Sequence, residues 1–239
     1  ERFVVARDRW VFPHSSAVAD HAVPVLQRPD VWRSHNSELA AMAALADAGL
    51  RDVRDLGHLD LYSCFPAAVQ THADAIGLDL LAGHERPVTV TGGMSLAGGP
   101  LNNSVLMAMA SLVSRLRKDV GTFGLASSVS GFLTKAGFGV WSTTEPLQPV
   151  VLRDVTAEAE LDSPPPRPVD GDHVGPATVA AWTVDHDHGQ PHRAVVYADT
   201  PSGGRTMAST GDPDTCVAML SGEWIGSTAD IRADGSFAL

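Results

Sequence analysis

The chain has 239 residues, 44% apolar and 19% charged, with 22 Gly and 16 Pro, the balance of a globular protein with a real core rather than a disordered or fibrous one. Residues 1–150 carry 14 acidic and 12 basic side chains and residues 151–239 carry 14 and 5, so the net charge of -11 divides into -2 and -9. A C-terminal part that negative repels phosphate backbones, which argues against nucleic acid as a partner, and no apolar run approaches the roughly 18 residues of a membrane span.

The N-terminal stretch Glu1-Arg2-Phe3-Val4-Val5-Ala6-Arg7 has no apolar leader core, so no secretory address is expected; it also lacks an initiator Met, as an internal cut would. Cys64 and Cys216 are too few and too far apart for a disulfide framework or a thiolate metal site, and a reducing, cytoplasmic setting is expected.

Helix-like and strand-like signals alternate over the first 150 residues, the pattern of a layered α/β domain. Residues 37–48 are rich in helix formers and stop at Gly49, a favoured C-cap. His58 to Ser63 alternates as a strand would, and Pro66 opens a helix that runs to Ile76 before Gly77. Pro87-Val88-Thr89-Val90-Thr91 reads as a short strand, and a loop with Gly92, Gly93, Gly98 and Gly99 follows. The next helix places Val105, Met109, Leu112, Val113 and Leu116 on one apolar stripe, to pack against a sheet. Residues 122–127 and 138–143 read as adjacent antiparallel strands, and a linker begins near Glu145-Pro146, which gives two domains, 1–145 and 146–239.

Beyond the linker the period changes to two. Val150-Val151-Leu152, residues 177–184 and 193–197, and Ile231 suggest short strands, with turns at Asp187-His188-Gly189-Gln190-Pro191 and Pro201-Ser202-Gly203-Gly204. Frequent turns between short strands point to a small all-β barrel-like domain or a sandwich. Ser163-Pro164-Pro165-Pro166-Arg167-Pro168 cannot lie inside a sheet and is expected as a loop.

Several segments could carry chemistry. Asp60-Leu61-Tyr62-Ser63-Cys64-Phe65-Pro66 puts polar and thiol groups at a strand-to-helix turn, where open α/β sheets expose ligand-binding residues; a buried inert thiol is the plainer expectation for Cys64. The loop from Thr91 to Asn103 could present backbone N–H groups to an anion, or be a tight structural turn. Gly93-Met94-Ser95-Leu96-Ala97 imitates the hydrolase nucleophile elbow, but Ala97 replaces its last glycine and the residues after Ser95 are not expected to begin a helix. Asp185, His186, Asp187, His188 and His192 are metal-ligand types at a hairpin tip; a solvated turn is favoured over a metal centre.

On these segments residues 1–145 resemble the C-terminal half of a thiolase, nearest the sterol-carrier-protein branch of the acetyl-CoA acetyltransferases. Three motif regions occur in order. The family's Asn-Glu-Ala-Phe, or His-Asp-Cys-Phe in that branch, stands here as Tyr62-Ser63-Cys64-Phe65; its Gly-His-Pro stands as Gly98-Gly99-Pro100, behind Gly93; its late Cys-x-Gly falls at Ser127-Ser128-Val129-Ser130-Gly131. The segment Thr134 to Thr143 with residues 151–239 behind it resembles thiolase-like proteins of actinobacterial type with an extra C-terminal β-domain.

The resemblance implies half of the thiolase fold, a mixed sheet with helices on both faces, followed by the β-domain. It implies a coenzyme A thioester as substrate, no covalently held cofactor and no metal, and a partner: the N-terminal half that bears the nucleophilic cysteine, or a second subunit. It places Tyr62, Cys64, Gly99, Ser127 and Ser128 at catalytic positions and Phe65, Gly93, Gly98 and Pro100 at substrate-binding ones. In the family the Gly-His-Pro histidine donates to a thioester oxyanion, the Asn at the position of Tyr62 holds a water, and the late cysteine moves a proton. Gly99 has no side chain to donate, and losing one oxyanion donor costs roughly 100- to 1,000-fold in rate; a serine hydroxyl does not replace a thiol as an acid–base group near neutral pH. The expectation is therefore an acyl-CoA acyltransferase fragment, with a non-catalytic acyl-CoA-binding or scaffold protein as the alternative. A third possibility, the β-domain as an oligonucleotide-binding barrel, is weakened by its charge of -9.

Overall fold

The computed structural model describes residues 5–82 and 86–239; the leader-free expectation falls partly on residues 1–4, outside the described residues. Contacts divide the chain into two units, Glu1–Ala22 with Trp32–Ser163, and Val23–Val31 with Pro164–Leu239.

In chain order the first unit holds β1 (Phe12–Asp20), α1 (His35–Asp47), β2 (Leu56–Asp60), α2 (Pro66–Ala75), the single turn α3 (Met94–Ala97), α4 (Ser104–Leu116), β3 (Phe123–Ser130), β4 (Lys135–Ser142), β5 (Val151–Asp154) and α5 (Thr156–Asp162). The strands form one mixed sheet in the order β2-β3-β4-β1-β5. β2 runs parallel to β3 and β5 parallel to β1, while β4 is antiparallel to both β3 and β1.

Local chemistry sets these elements. Ser34 caps α1 by accepting from the Ser37 amide, and Pro66 opens α2 where its missing N–H is no loss. α1 buries Ala40, Ala41 and Ala44, side chains small enough for the helix to lie close on β1, where Ser15 Oγ donates to the Ala44 carbonyl at 2.6 Å. α1 and α2 cover one face of the sheet, over Leu59, Leu125, Phe138 and Val140. α4 covers the other face, with Leu112 and Leu116 on Ala126; burying each leucine contributes roughly 1.5–3 kcal/mol. A side chain at Gly124 would meet Leu112 Cδ1 at 2.7 Å, so a strand residue without Cβ lets α4 seat. Helices on both faces of a mixed sheet are what the sequence led us to expect.

The second unit holds β6 (Gly175–Asp187), β7 (Gln190–Asp199), β8 (Arg205–Thr210), α6 (Pro213–Met219), β9 (Thr228–Ile231) and β10 (Phe237–Ala238), in an antiparallel sheet of order β10-β9-β6-β7-β8. The β6–β7 hairpin turns at His188 and Gly189, both with positive φ, the conformation that matches strand twist in a two-residue loop. The two ends of the sheet approach where the Ser209 amide donates to the Gly235 carbonyl at 3.0 Å. α6 buries Cys216 and Met219 among Ala194, Val196 and Ala198. Arg205, 2% exposed, donates from Nε to Asp199, from Nη1 to the Arg28 carbonyl at 2.6 Å and from Nη2 to the Pro29 carbonyl. Residues 23–31 are thereby built into this unit.

Some expected elements differ. Val150-Val151-Leu152, expected with the C-terminal strands, instead enters β5 beside β1 in the first sheet. Residues 87–91 form no strand: the Val90 and Thr91 amides are bound to the Asp60 carboxylate instead of to a neighbouring strand. Ser95 does lie in a turn of helix, α3, which Gly98 ends at φ 81°.

Candidate functional site

At the C-terminal end of β2 the chain leaves the sheet and passes Tyr62 and Ser63 on its way to α2. Three segments meet there in the first unit: residues 60–63, the glycine-rich loop into α4, and the end of β3. Tyr62, Ser63, Gly93, Gly98, Ser104 and Ser127 are among the residues lining one cavity of about 20 Å³, room for roughly one water-sized group.

The glycine-rich loop is held by its own side chains. Asp60, 6% exposed, accepts on Oδ2 from the Thr89 and Thr91 hydroxyls at 2.7 and 3.0 Å and from the Val90 and Thr91 amides at 3.0 and 3.1 Å. The Gly92 and Gly93 amides donate to Thr89 Oγ1 at 3.2 Å each, and the Met94 amide donates to Ser63 Oγ at 3.0 Å. The expectation that this part of the loop aims its N–H groups at an anion is thus corrected: they are engaged within the protein. Gly93 has φ 79° and ψ 173°, and a side chain there would also sit 3.1 Å from Ser63 Oγ.

Ser127 ties the end of β2 to α2. Its Oγ accepts from the Tyr62 amide at 3.0 Å and lies 2.8 Å from His72 Nδ1. His72, on α2, is fully buried beside the Phe138 ring, and burial pushes its pKa down from 6.5 to about 4, because a charged imidazolium is costly in an apolar surround. At neutral pH the ring is uncharged.

Of the residues singled out from the sequence, Tyr62, Gly93, Gly98 and Ser127 line the cavity. Cys64 is exposed, which corrects the expectation of a buried thiol, and Phe65 beside it is 71% exposed; neither lines the cavity. Gly99 and Pro100 are exposed outside it, and a side chain at Gly99 would meet Met94. Ser127 and Ser128 are adjacent on a strand and therefore face opposite ways: Ser128 Oγ turns to Gly137 on β4, and Ser128 does not line the cavity. Among the described residues no three His, Cys, Asp or Glu side chains gather as a metal site, and His188 stands at the β6–β7 hairpin tip.

Sequence reasoning missed His72, Thr89 and Ser104. His72 lies six residues into a helix whose pattern gives no hint of a polar task, and only its burial exposes one. The loop threonines are β-branched, which is why the sequence alone predicts a strand there.

Residues 157–236 match the family model described as the thiolase-like protein type 1 additional C-terminal domain. A crystal structure of a monomeric SCP2-thiolase like protein type 1 from Mycobacterium smegmatis superposes with a TM-score of 0.83 at 29% identity, covering 98% of this chain and 51% of its own. The chain thus spans about half the length of that relative. Human mitochondrial 3-ketoacyl-CoA thiolase matches at 21% identity and a TM-score of 0.43, over 56% of this chain and 30% of its own. Its complex with CoA matches at 20% identity and a TM-score of 0.42, with the same coverage. No curated protein sequence matches. The chain therefore resembles an SCP2-thiolase-like protein along nearly all of its length, and its residues 157–236 resemble the additional C-terminal domain of type 1 thiolase-like proteins.

Proposed function

We propose that the first unit is the C-terminal half of a binding site for coenzyme A thioesters, in which the acid–base groups of a working thiolase have been replaced. The observation that supports this most directly is the convergence of Tyr62, Gly93, Gly98 and Ser127, drawn from three thiolase-like motif segments, on one cavity. The replacements lie in the same segments: Gly99 at the family's histidine and Ser127 or Ser128 at its late cysteine. Titration calorimetry with acetyl-CoA tests the proposal: saturable binding supports it, and no heat at millimolar ligand refutes it.

A second reading, acyl transfer between CoA thioesters, needs a nucleophile from a second thiolase-like half, since Cys64 lies outside the cavity. What favours it is apolar surface beside the site: Leu96, Leu101 and Leu106 are 83%, 87% and 62% exposed, and such a half would cover them. Exchange of labelled acetyl groups between CoA thioesters by the full-length protein decides for this reading; binding without exchange decides for the first.

A further inference from the structure

We infer that the surface of the second unit around the end of α6 docks a partner protein, through a segment that sets a lysine or arginine beside apolar side chains, and that Glu223 receives the cation. The inference is independent of the proposed thioester site, which lies in the first unit.

The apolar part comes from three aliphatic side chains. Val217, Leu220 and Ile225 are 59%, 49% and 61% exposed. Val217 and Leu220 stand three residues apart at the end of α6, which makes them neighbours on one helix face. The chain then turns back on that helix end, because Trp224 Nε1 donates to the Met219 carbonyl at 3.1 Å. Trp182 Nε1, from β6, donates to Glu223 Oε1 at 2.8 Å. These two bonds tie residues 223–225 to the helix end and to the sheet, so that Ile225 and two half-buried tryptophans adjoin Val217 and Leu220. Exposed apolar side chains grouped inside a polar rim mark interaction surfaces, whereas scattered ones do not.

Charge selects the occupant. From Thr206 to Ile231 the sequence holds Asp212, Asp214, Glu223 and Asp230 and no Lys, Arg or His. Glu223 is fixed in place: Oε1 accepts from the Trp182 indole and from the Trp224 and Ile225 amides at 2.8, 2.8 and 3.0 Å, and Oε2 takes none of these bonds. The same donors, the Ile225 amide foremost, hold its pKa below the usual carboxylate range, so it is charged at neutral pH. A carboxylate already immobilised loses little further freedom when a cation pairs with it. Asp214, exposed on α6 three residues before Val217, adds a second negative charge at the rim. A second copy of the chain meeting patch to patch would set these carboxylates against themselves, and nucleic acid or an anionic lipid surface is repelled by them; a basic segment is attracted. So small an apolar surface fits a transient partner rather than a permanent subunit.

NMR titration of the complete chain with synthetic peptides tests this. The probe is an amphipathic peptide of about four helical turns, with Leu along one face and Lys on the other. Saturable shifts are expected at the Val217, Leu220 and Ile225 amides and at the Trp182 indole N–H. Binding should be at least about tenfold weaker for the peptide with Glu in place of Lys, and for the equally charged peptide with Ser in place of Leu. Glu223→Gln keeps an acceptor for the three N–H donors while removing the charge, and Asp214→Asn removes the rim charge; each should weaken the Leu/Lys peptide about two- to fivefold. Ile225→Ser should weaken it about tenfold. Equal affinity for the Lys and Glu peptides or for the Leu and Ser peptides, unchanged affinity in the variants, shifts centred on another face, or no saturable shift at millimolar peptide overturns the inference. Shifts of the same amides when the protein alone is concentrated assign the patch to a second copy, and shifts with phosphatidylserine vesicles but not with the peptide assign it to a membrane surface; either result overturns it as well.

Discussion

Replacing Asp60 by alanine removes the acceptor that organises the loop over the cavity, and the structure sets the size of the effect. Four donors converge on one carboxylate oxygen, but they are not equally stranded by its loss. The Thr89 and Thr91 hydroxyls stand 2.9 Å apart and can pair with each other, and the Thr91 amide has a second acceptor in Thr89 Oγ1 at 3.1 Å. The Val90 amide is left without its acceptor. Hydrogen bonds to charged groups are worth about 1.5–3 kcal/mol each, so a net loss of about 2–4 kcal/mol is expected, one to two such bonds rather than four. Asp60→Asn keeps an acceptor oxygen and should lose about half as much. Urea unfolding followed by amide exchange in β3 and β4 reads the first unit alone, and exchange at residues 90–94 reads the loop. If Asp60→Ala unfolds within about 0.5 kcal/mol of wild type, below the range for even one charged bond, with the loop amides equally protected, the carboxylate does not hold the loop and the reasoning is wrong.

Other consequences follow from single residues. His72 has a folded pKa of about 4 against an ordinary 6.5; the unfolded chain binds the extra proton between those values, so stability falls as pH drops from 6.5 to 4, by up to about 3 kcal/mol. In His72→Leu that part of the pH dependence of unfolding should vanish. Arg205→Met leaves Asp199 and the carbonyls of Arg28 and Pro29 without their shared donor and should destabilise the second unit by about 3–5 kcal/mol, read as loss of exchange protection in β7 and β8. Gly93→Ala places a side chain at φ 79°, ψ 173°, a region almost confined to glycine, and should cost about 1–3 kcal/mol while displacing Ser63, visible as a shift of the Met94 amide resonance. Unchanged stability in either variant contradicts the corresponding contact.

The legible parts of the chain are those whose local signals agree with their packing. Pro66 announces α2, the stripe with Leu112 and Leu116 announces α4, and Gly189 announces the β6–β7 turn. β1 escaped because Phe12 to Asp20 holds a Pro, a His, two adjacent Ser and two Ala, with Val18 its lone aliphatic β-branched residue, so it lacks the apolar alternation of a strand; it lies inside the sheet, and Ser15 is accommodated by its bond to a helix carbonyl. The place of residues 23–31 in the second unit was equally hidden, since Arg205 grips backbone carbonyls, which any sequence provides. At the site the motif segments were legible and the facing of their side chains was not: the pleat of β3 separates Ser127 from Ser128, and α2 brings His72 behind the first of them.

The central claim is that residues from three distant segments form one site for the acyl end of a coenzyme A thioester. An NMR titration of the full-length protein with acetyl-CoA tests it most directly. The account predicts saturable amide shifts that cluster at residues 62–63, 93–98, 104 and 127 and spare β6 to β10. Saturable shifts centred in the second unit, or absence of any shift at the Ser127 and Gly98 amides under saturating ligand, would contradict it.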